Sequence, residues 1–273
     1  MPIHKSIKIR LAVALLWPSA SCADDIDIES EIPVVLTPTR LRQSLPDVPA
    51  SVTIITAKMI LQYGIRSIPD ALRLVPGMAV TQITGNDYRI NYHGTNILSP
   101  RRMNILLDGM AIYGLRVSRV DWRLLPVAIE DIERIEVTRG SNSAAYGSNS
   151  MLAVINIITK HPNDVTGTTL STVAGSMNTF TGTARYSGNL GSATTYRVTF
   201  ERDMDAGFDY ASSLGLGHDS RKINRFNFRS ITSLSSSETL DIQASFLQGI
   251  VEAEFADKSQ KSLPDVNVKN YSL

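Results

Sequence analysis

Residues 131–160 read DIERIEVTRGSNSAAYGSNSMLAVINIITK, and the fold turns on this stretch. Ile132, Ile135 and Val137 are interleaved with Glu133, Glu136 and Arg139. From Ile135 to Arg139 the alternation has period two, which predicts a half-buried strand. Gly140 breaks the pattern, Ser141 or Asn142 is placed to cap one short helical turn, and Gly147 to end it. Ala153 to Ile158 is a dense β-branched run, the composition of a strand buried on both faces. The unit is strand, tight turn, strand. Composition alone leaves it compatible with many α/β proteins.

Working outward, Val52 to Ile55 predicts a short strand. Thr56 caps a helix ended by Gly64, with Ala57, Ile60 and Leu61 on one face. Ser67 caps another, in which Ile68, Ala71, Leu72 and Val75 follow the i, i+3, i+4, i+7 spacing of a buried face. Pro69 is tolerated in its first turn and Pro76-Gly77 stops it. Tyr88 to His93 alternates again, and Met103 to Leu107 is a strand ending at the Asp108-Gly109 turn.

The order of these segments is more specific than their composition. IERIEVTRG, AAYGSNS and VINIITK together resemble the closing segment of the plug domain of TonB-dependent outer-membrane receptors. SIPDALRLVPGMAV, from Ser67, and the Leu106-Leu107-Asp108-Gly109 turn resemble earlier parts of it. By that resemblance Gly94, Leu106, Leu107, Asp108, Gly109, Glu133, Glu136, Arg139, Gly140, Tyr146, Gly147 and Asn156 are plug-motif positions. Thr138 and Ser141 occupy the variable and usual proline positions, and Leu152-Ala153 stands where a glycine pair is common. In Asn91-Tyr92-His93-Gly94, His93 replaces the family's arginine, a titratable group for a permanent charge. No second His or Cys lies nearby, so His93 is expected to be a satisfied, half-buried histidine and not a metal ligand.

The N-terminus carries an export signal. Lys5, Lys8 and Arg10 precede the short apolar run Leu11 to Trp17, and Ser21-Cys22-Ala23 offers a cleavage site. The run is too short to span a bilayer. Acylation of Cys22, the chain's single cysteine, is the rival reading. Cleavage after Ala23 leaves no thiol and no disulfide framework. It also removes three of 27 basic residues and none of the 26 acidic ones. That near-neutral balance argues against nucleic acid as a partner and assigns the scattered arginines to solvated faces.

Residues 24–45 read as an extended, acidic, proline-interrupted tail. Within it, Glu31, Ile32, Pro33, Val34, Val35, Leu36 and Thr37 form a β-prone run suited to strand addition onto a partner. The resemblance makes this run the TonB box, which would couple to the inner-membrane TonB complex. The alternative is the first strand of the globular domain.

Beyond His161-Pro162 the pattern changes. Phe180, Ala184, Tyr186 and Leu190 alternate with Thr181, Thr183, Arg185 and Ser187. Tyr196, Val198 and Phe200 alternate with Arg197, Thr199 and Glu201; Leu240, Ile242, Ala244 and Phe246 with Asp241, Gln243 and Ser245. Residues 221–234 are a noisier case and 169–173 a weak one. Such segments of ~10 residues, apolar outward and polar inward, are the signature of barrel strands in an outer membrane, although a soluble sandwich has the same period. Asp203, Asp205 and Asp209 lack the closing glutamate of a calcium loop and read as an exposed loop between strands.

The expected fold is therefore an α+β plug, a small mixed sheet with short helices, followed by antiparallel strands of an incomplete outer-membrane β-barrel. Its divisions are a signal peptide (1–23), the tail (24–45), the plug (46–160) and the first barrel strands (161–273). A barrel of the plugged class has ~22 strands of ~10 residues. The 113 residues after Lys160 supply five or six, so the expectation is a piece of a longer receptor or a shortened product without uptake competence. No phosphate cradle, HExxH or nucleophile elbow occurs, which points to binding and transport, not to an enzyme, and no cofactor or metal site emerges. The resemblance implies a small-molecule ligand, such as a ferric siderophore or cobalamin, and outer-membrane lipid as surroundings. Arg101, Arg102, Tyr113, Arg116 and Arg119 are candidate ligand contacts, against the alternative that they line a water-filled lumen. Two other readings stand beside transport: a periplasmic plug-like interaction module, and a non-functional truncated receptor.

Overall fold

The computed structural model describes residues 34–93, 102–113, 120–208, 219–252 and 266–272, the last as backbone. The signal, Glu31, Ile32, Pro33, Gly94, Arg101, Arg116, Arg119 and Asp209 lie outside the described residues.

The expectation of an extended tail over 24–45 is corrected for its described part: β1 (Val34–Val35) pairs antiparallel with β2 (Gln43–Ser44) across a turn, so residues 34–44 double back as a hairpin. Then come β3 (Ser51–Thr56), α1 (Ala57–Gln62), α2 (Ile68–Leu72), β4 (Met78–Gln82), β5 (Tyr88–Tyr92), β6 (Met103–Leu107) and β7 (Met110–Ala111). The signature stretch supplies β8 (Ile132–Arg139), α3 (Ser143–Tyr146) and β9 (Ala153–Thr159). A five-stranded mixed sheet runs β3-β8-β9-β6-β7, parallel only between β6 and β9, and β4-β5 form a separate hairpin.

The local signals act as expected. The Thr56 side chain accepts from the Met59 N–H at 3.2 Å, and Ser67 accepts from the Asp70 N–H at 3.2 Å, so both helices start where an orphan donor is satisfied. Asp108 (φ 47°) and Gly109 (φ 85°) make the left-handed two-residue turn between β6 and β7. Asn142 starts α3 without a capping bond from its side chain, and Gly147, at φ 73°, ends it. Ile68, Ala71, Leu72 and Val75 are buried and pack with Ile55, Ile135, Val137, Ile155 and Ile157 in one core. In place of the glycine pair, Ala153 is buried and Leu152 packs on that core.

Three expectations for this part are corrected. Leu61 is 78% exposed, because α1 turns it away from Ile60 and the core. His93 is exposed, not half-buried, at a left-handed backbone position (φ 54°) just past β5. And β8 is buried on both faces: Ile135 and Val137 face the core, while Glu136 and Thr138 are buried on the opposite side.

After β9, six strands follow: β10 (Gly167–Ala174), β11 (Phe180–Leu190), β12 (Thr194–Asp205), β13 (Arg221–Ser233), β14 (Thr239–Val251) and β15 (Val266–Ser272). Each pairs antiparallel with its neighbour in sequence, forming an open wall. Its inward face carries Arg185, Arg197, Thr199, Glu201 and Arg225, all buried; its outward face carries Tyr186, Phe200, Phe226 and Ile242, all exposed. The polarity of a soluble protein is inverted here, as in a barrel wall facing lipid. This overturns the assignment of the arginines to solvated faces, since the inner face is covered by the preceding domain. Asp203 and Asp205 do not lie in a loop either: they end β12 and face Arg221. Ile223, Leu247 and Val251 make an apolar patch on the inward face, packed against Leu124.

Candidate functional site: a clasped tail and a charged wall

In the sheet Glu136 lies directly opposite Asn156. Both are buried, and each polar group needs a partner or costs its full desolvation. The tail supplies them. One Glu136 carboxylate oxygen accepts the Leu36 N–H (3.0 Å), the Thr37 N–H (2.8 Å) and the Thr37 hydroxyl (2.5 Å). The other oxygen accepts the Arg134 Nε–H at 2.8 Å. The Asn156 amide donates to Thr37 Oγ1 at 3.2 Å, while its carbonyl accepts the Gly109 N–H at 3.1 Å. Asn142 donates to the Pro38 carbonyl at 3.1 Å, and the Arg40 guanidinium lies 4.5 Å from the Tyr146 ring centre. Val35 and Thr37 are fully buried as a result. Charge-assisted bonds from one carboxylate to the consecutive N–H groups of Leu36 and Thr37 hold the start of the turn that follows β1.

The second region is where the plug sheet meets the wall. Asp131 is fully buried, 3.5 Å from Arg185 and 3.8 Å from Arg197. Arg185 also donates to the Glu130 carbonyl (3.0 Å), Ser187 to the Pro162 carbonyl (2.6 Å) and Ser171 to the Glu130 carboxylate (2.9 Å). Burial, reinforced by the Arg185 charge, lowers the pKa of the Lys160 ammonium, which donates to the Glu130 carbonyl at 2.8 Å. Asp108 accepts from the Thr159 N–H at 2.8 Å and lies 3.8 Å from Arg229, which is paired at 2.7 Å with Asp241. Higher up, Arg225 pairs with Glu201 and donates to the Leu125 and Arg123 carbonyls at 3.2 and 3.1 Å. Asn86, on the turn before β5, donates to the Ser220 and Glu252 carbonyls at 3.0 and 3.1 Å.

Of the expected ligand contacts, Arg102 is exposed and Tyr113 half-buried. The Tyr113 hydroxyl donates to the Met103 carbonyl, and burial raises its pKa; that group serves the plug interior. Of the motif positions, Asp108, Gly109, Glu136 and Asn156 meet around the tail and the turn after β6. Asn142, expected as a helix cap, instead holds the tail, and the wall arginines, expected to be solvated, hold the plug. A signal for the clasp was present in Asn156, a lone amide in an otherwise apolar strand, which requires a polar partner.

Comparison with known proteins bears on both regions. Residues 44–154 match the model of the TonB-dependent receptor plug domain. The vitamin B12 transporter BtuB of Vibrio vulnificus is 32% identical over 174 residues, 64% of this chain and 28% of that protein. The BtuB transporter of Photobacterium profundum is 32% identical over 158 residues. The siderophore receptor PirA from Pseudomonas aeruginosa superposes with a TM-score of 0.53 at 26% identity, over 74% of this chain and 34% of that one. The P. aeruginosa FpvA structure bound to heterologous pyoverdines gives a TM-score of 0.64 at 20% identity, over 80% and 28%. The chain thus spans under a third of the length of the curated relatives it matches.

Proposed function

We infer that this chain, which carries the plug domain and adjoining barrel-type strands of the TonB-dependent receptor family, serves uptake of a scarce metal chelate, a ferric siderophore or cobalamin, across the outer membrane. The observation that carries this reading is the wall: its charged face is turned to the plug and its apolar face outward, an arrangement suited to a transporter embedded in lipid. Val34 to Thr37 is the segment offered to the periplasmic TonB partner. It is short and β-prone, held by a two-residue pairing with β2 and by the Glu136 and Asn156 side chains, so a competing strand can replace these bonds with a longer ladder.

Export by the N-terminal signal places the tail on the periplasmic side. Pulling on a tail anchored at Glu136 and Asn156 loads β9, the central strand of the plug sheet, and its neighbour β8 first. The test is capture of the chain by the periplasmic domain of TonB. A proline at Val35 removes a backbone donor and is expected to abolish capture. Equal capture of the wild-type and Val35→Pro chains would rule out the coupling role.

A further inference from the structure

The outward face of the wall carries one chemical exception. Registering β10 to β14 side by side gives rows that alternate across the face: Ala184, Phe200, Phe226 and Phe246 form one row. The next is Gly182, Arg202, Asn224 and Gln248, and the one beyond is Phe180, Met204, Lys222 and Ile250. Every other outward side chain on these strands is apolar, or is an uncharged glycine, serine, threonine or tyrosine. On β10 to β14, Arg202 and Lys222 are the charged residues of that face, on adjacent strands and both exposed; on β15 the register sets Lys269 opposite Gln248. Arg202 donates to Asn224 Oδ1 at 3.0 Å, and neither cation has a carboxylate partner among the described residues.

Their level on the wall is informative. The connections at 191–193 and 234–238 are short; at the other end 175–179 is short but 206–220 and 252–265 are long, which marks that end as the outer one. Arg202 is eight residues beyond Thr194 along β12, and Lys222 pairs with Met204, two residues further. At ~3.3 Å per residue and a tilt of ~40°, these levels stand ~20 and ~25 Å above Thr194, the height of the apolar band of a membrane barrel. An unpaired cation is costly at mid-bilayer and tolerated at the interface.

We propose that Arg202 and Lys222, with Asn224 and Gln248 beside them, form a binding site for a phosphate-bearing lipid headgroup at the outer edge of the wall. Asn224 orients the Arg202 guanidinium, whose remaining N–H groups suit two oxygens of one phosphate, and Lys222 adds a second charge. The proposal rests on the wall being membrane-embedded, and the experiment separates the two.

The full chain is reconstituted into bilayers of phosphatidylcholine with a minority of phosphatidylglycerol, and co-purifying lipid is quantified by mass spectrometry. Wild type is expected to enrich the anionic lipid. Arg202→Gln and Lys222→Gln should each lower that enrichment about fivefold, the equivalent of ~1 kcal/mol per basic residue. Enrichment that survives the double substitution, or is absent from wild type, overturns the site. Complete displacement by millimolar inorganic phosphate overturns the lipid in favour of a free anion. Bromolipid quenching of a Phe226→Trp variant reads embedding separately: quenching without enrichment removes only the headgroup site, and no quenching removes the embedded wall with it.

Discussion

The plug sheet and the wall are built from strands of the same period and bury opposite things. In β8 and β9 the buried residues include Ile135, Val137, Ile155 and Ile157, and the buried polar pair that lies face to face, Glu136 and Asn156, is engaged by the tail. In β12 and β13 the buried residues include Arg197, Glu201, Asp203 and Arg225, while Phe200 and Phe226 are exposed. Alternation alone says that a strand has two faces. What covers each face decides which set is inside.

The largest expected effect breaks the comparison on the wall side. Arg225→Ala leaves Glu201 buried without its cation and should cost ~3–5 kcal/mol in denaturant unfolding. Arg202→Ala, on the outward face, should stay within ~0.5 kcal/mol in the same assay. Equal losses would mean that the two faces are not distinguished by burial. On the plug side, Ile155→Ala should cost ~2–5 kcal/mol by leaving a cavity against Val137 and Ile105. Phe226→Ala in detergent should cost clearly less, and the reverse order would contradict the inverted wall.

The clasp gives a smaller effect of a different kind. Glu136→Gln replaces a charged acceptor with an amide and should cost ~1–3 kcal/mol. It should also speed tryptic cleavage at Arg40 and Arg42, because the segment loses its anchor. Unchanged cleavage would show that the tail is held without Glu136, by the β1–β2 pairing, the Asn142 and Asn156 bonds and the packing of Val35. The smallest effect is alkaline. Burial raises the Tyr113 pKa, so the folded state keeps that proton where the unfolded chain, titrating near ~10, gives it up. Its contribution is therefore fully present below pH ~10 and is lost as pH rises through the folded value. Tyr113→Phe should flatten that part of the stability–pH slope and otherwise cost ~1 kcal/mol for the bond to Met103.

Much of the fold was legible because its signals are local. The Thr56 and Ser67 caps, the Asp108-Gly109 turn and the β-branched run of β9 are each specified within a few residues. What was hidden depends on contacts distant in sequence. Glu136 looked like the solvent side of an amphipathic strand, because its cover, Thr37, lies 99 residues away. The arginines of β11 to β13 looked solvated because their partners, Asp131 and the carbonyls of Arg123 and Leu125, belong to the plug. Leu61 matched a helical apolar face that extends further than the core does.

The central claim is that adjacent residues of the wall face lipid and plug in turn, and spin labels read this directly. Labels are placed by single cysteine substitution at Thr199, Phe200, Phe226 and Asn227, with Cys22 replaced by serine. In bilayers, Phe200 and Phe226 should be open to oxygen and closed to a water-soluble nickel chelate. Thr199 and Asn227 should be immobile and closed to both. Nickel access at Phe200 and Phe226, or the reverse phase along the two strands, would contradict it.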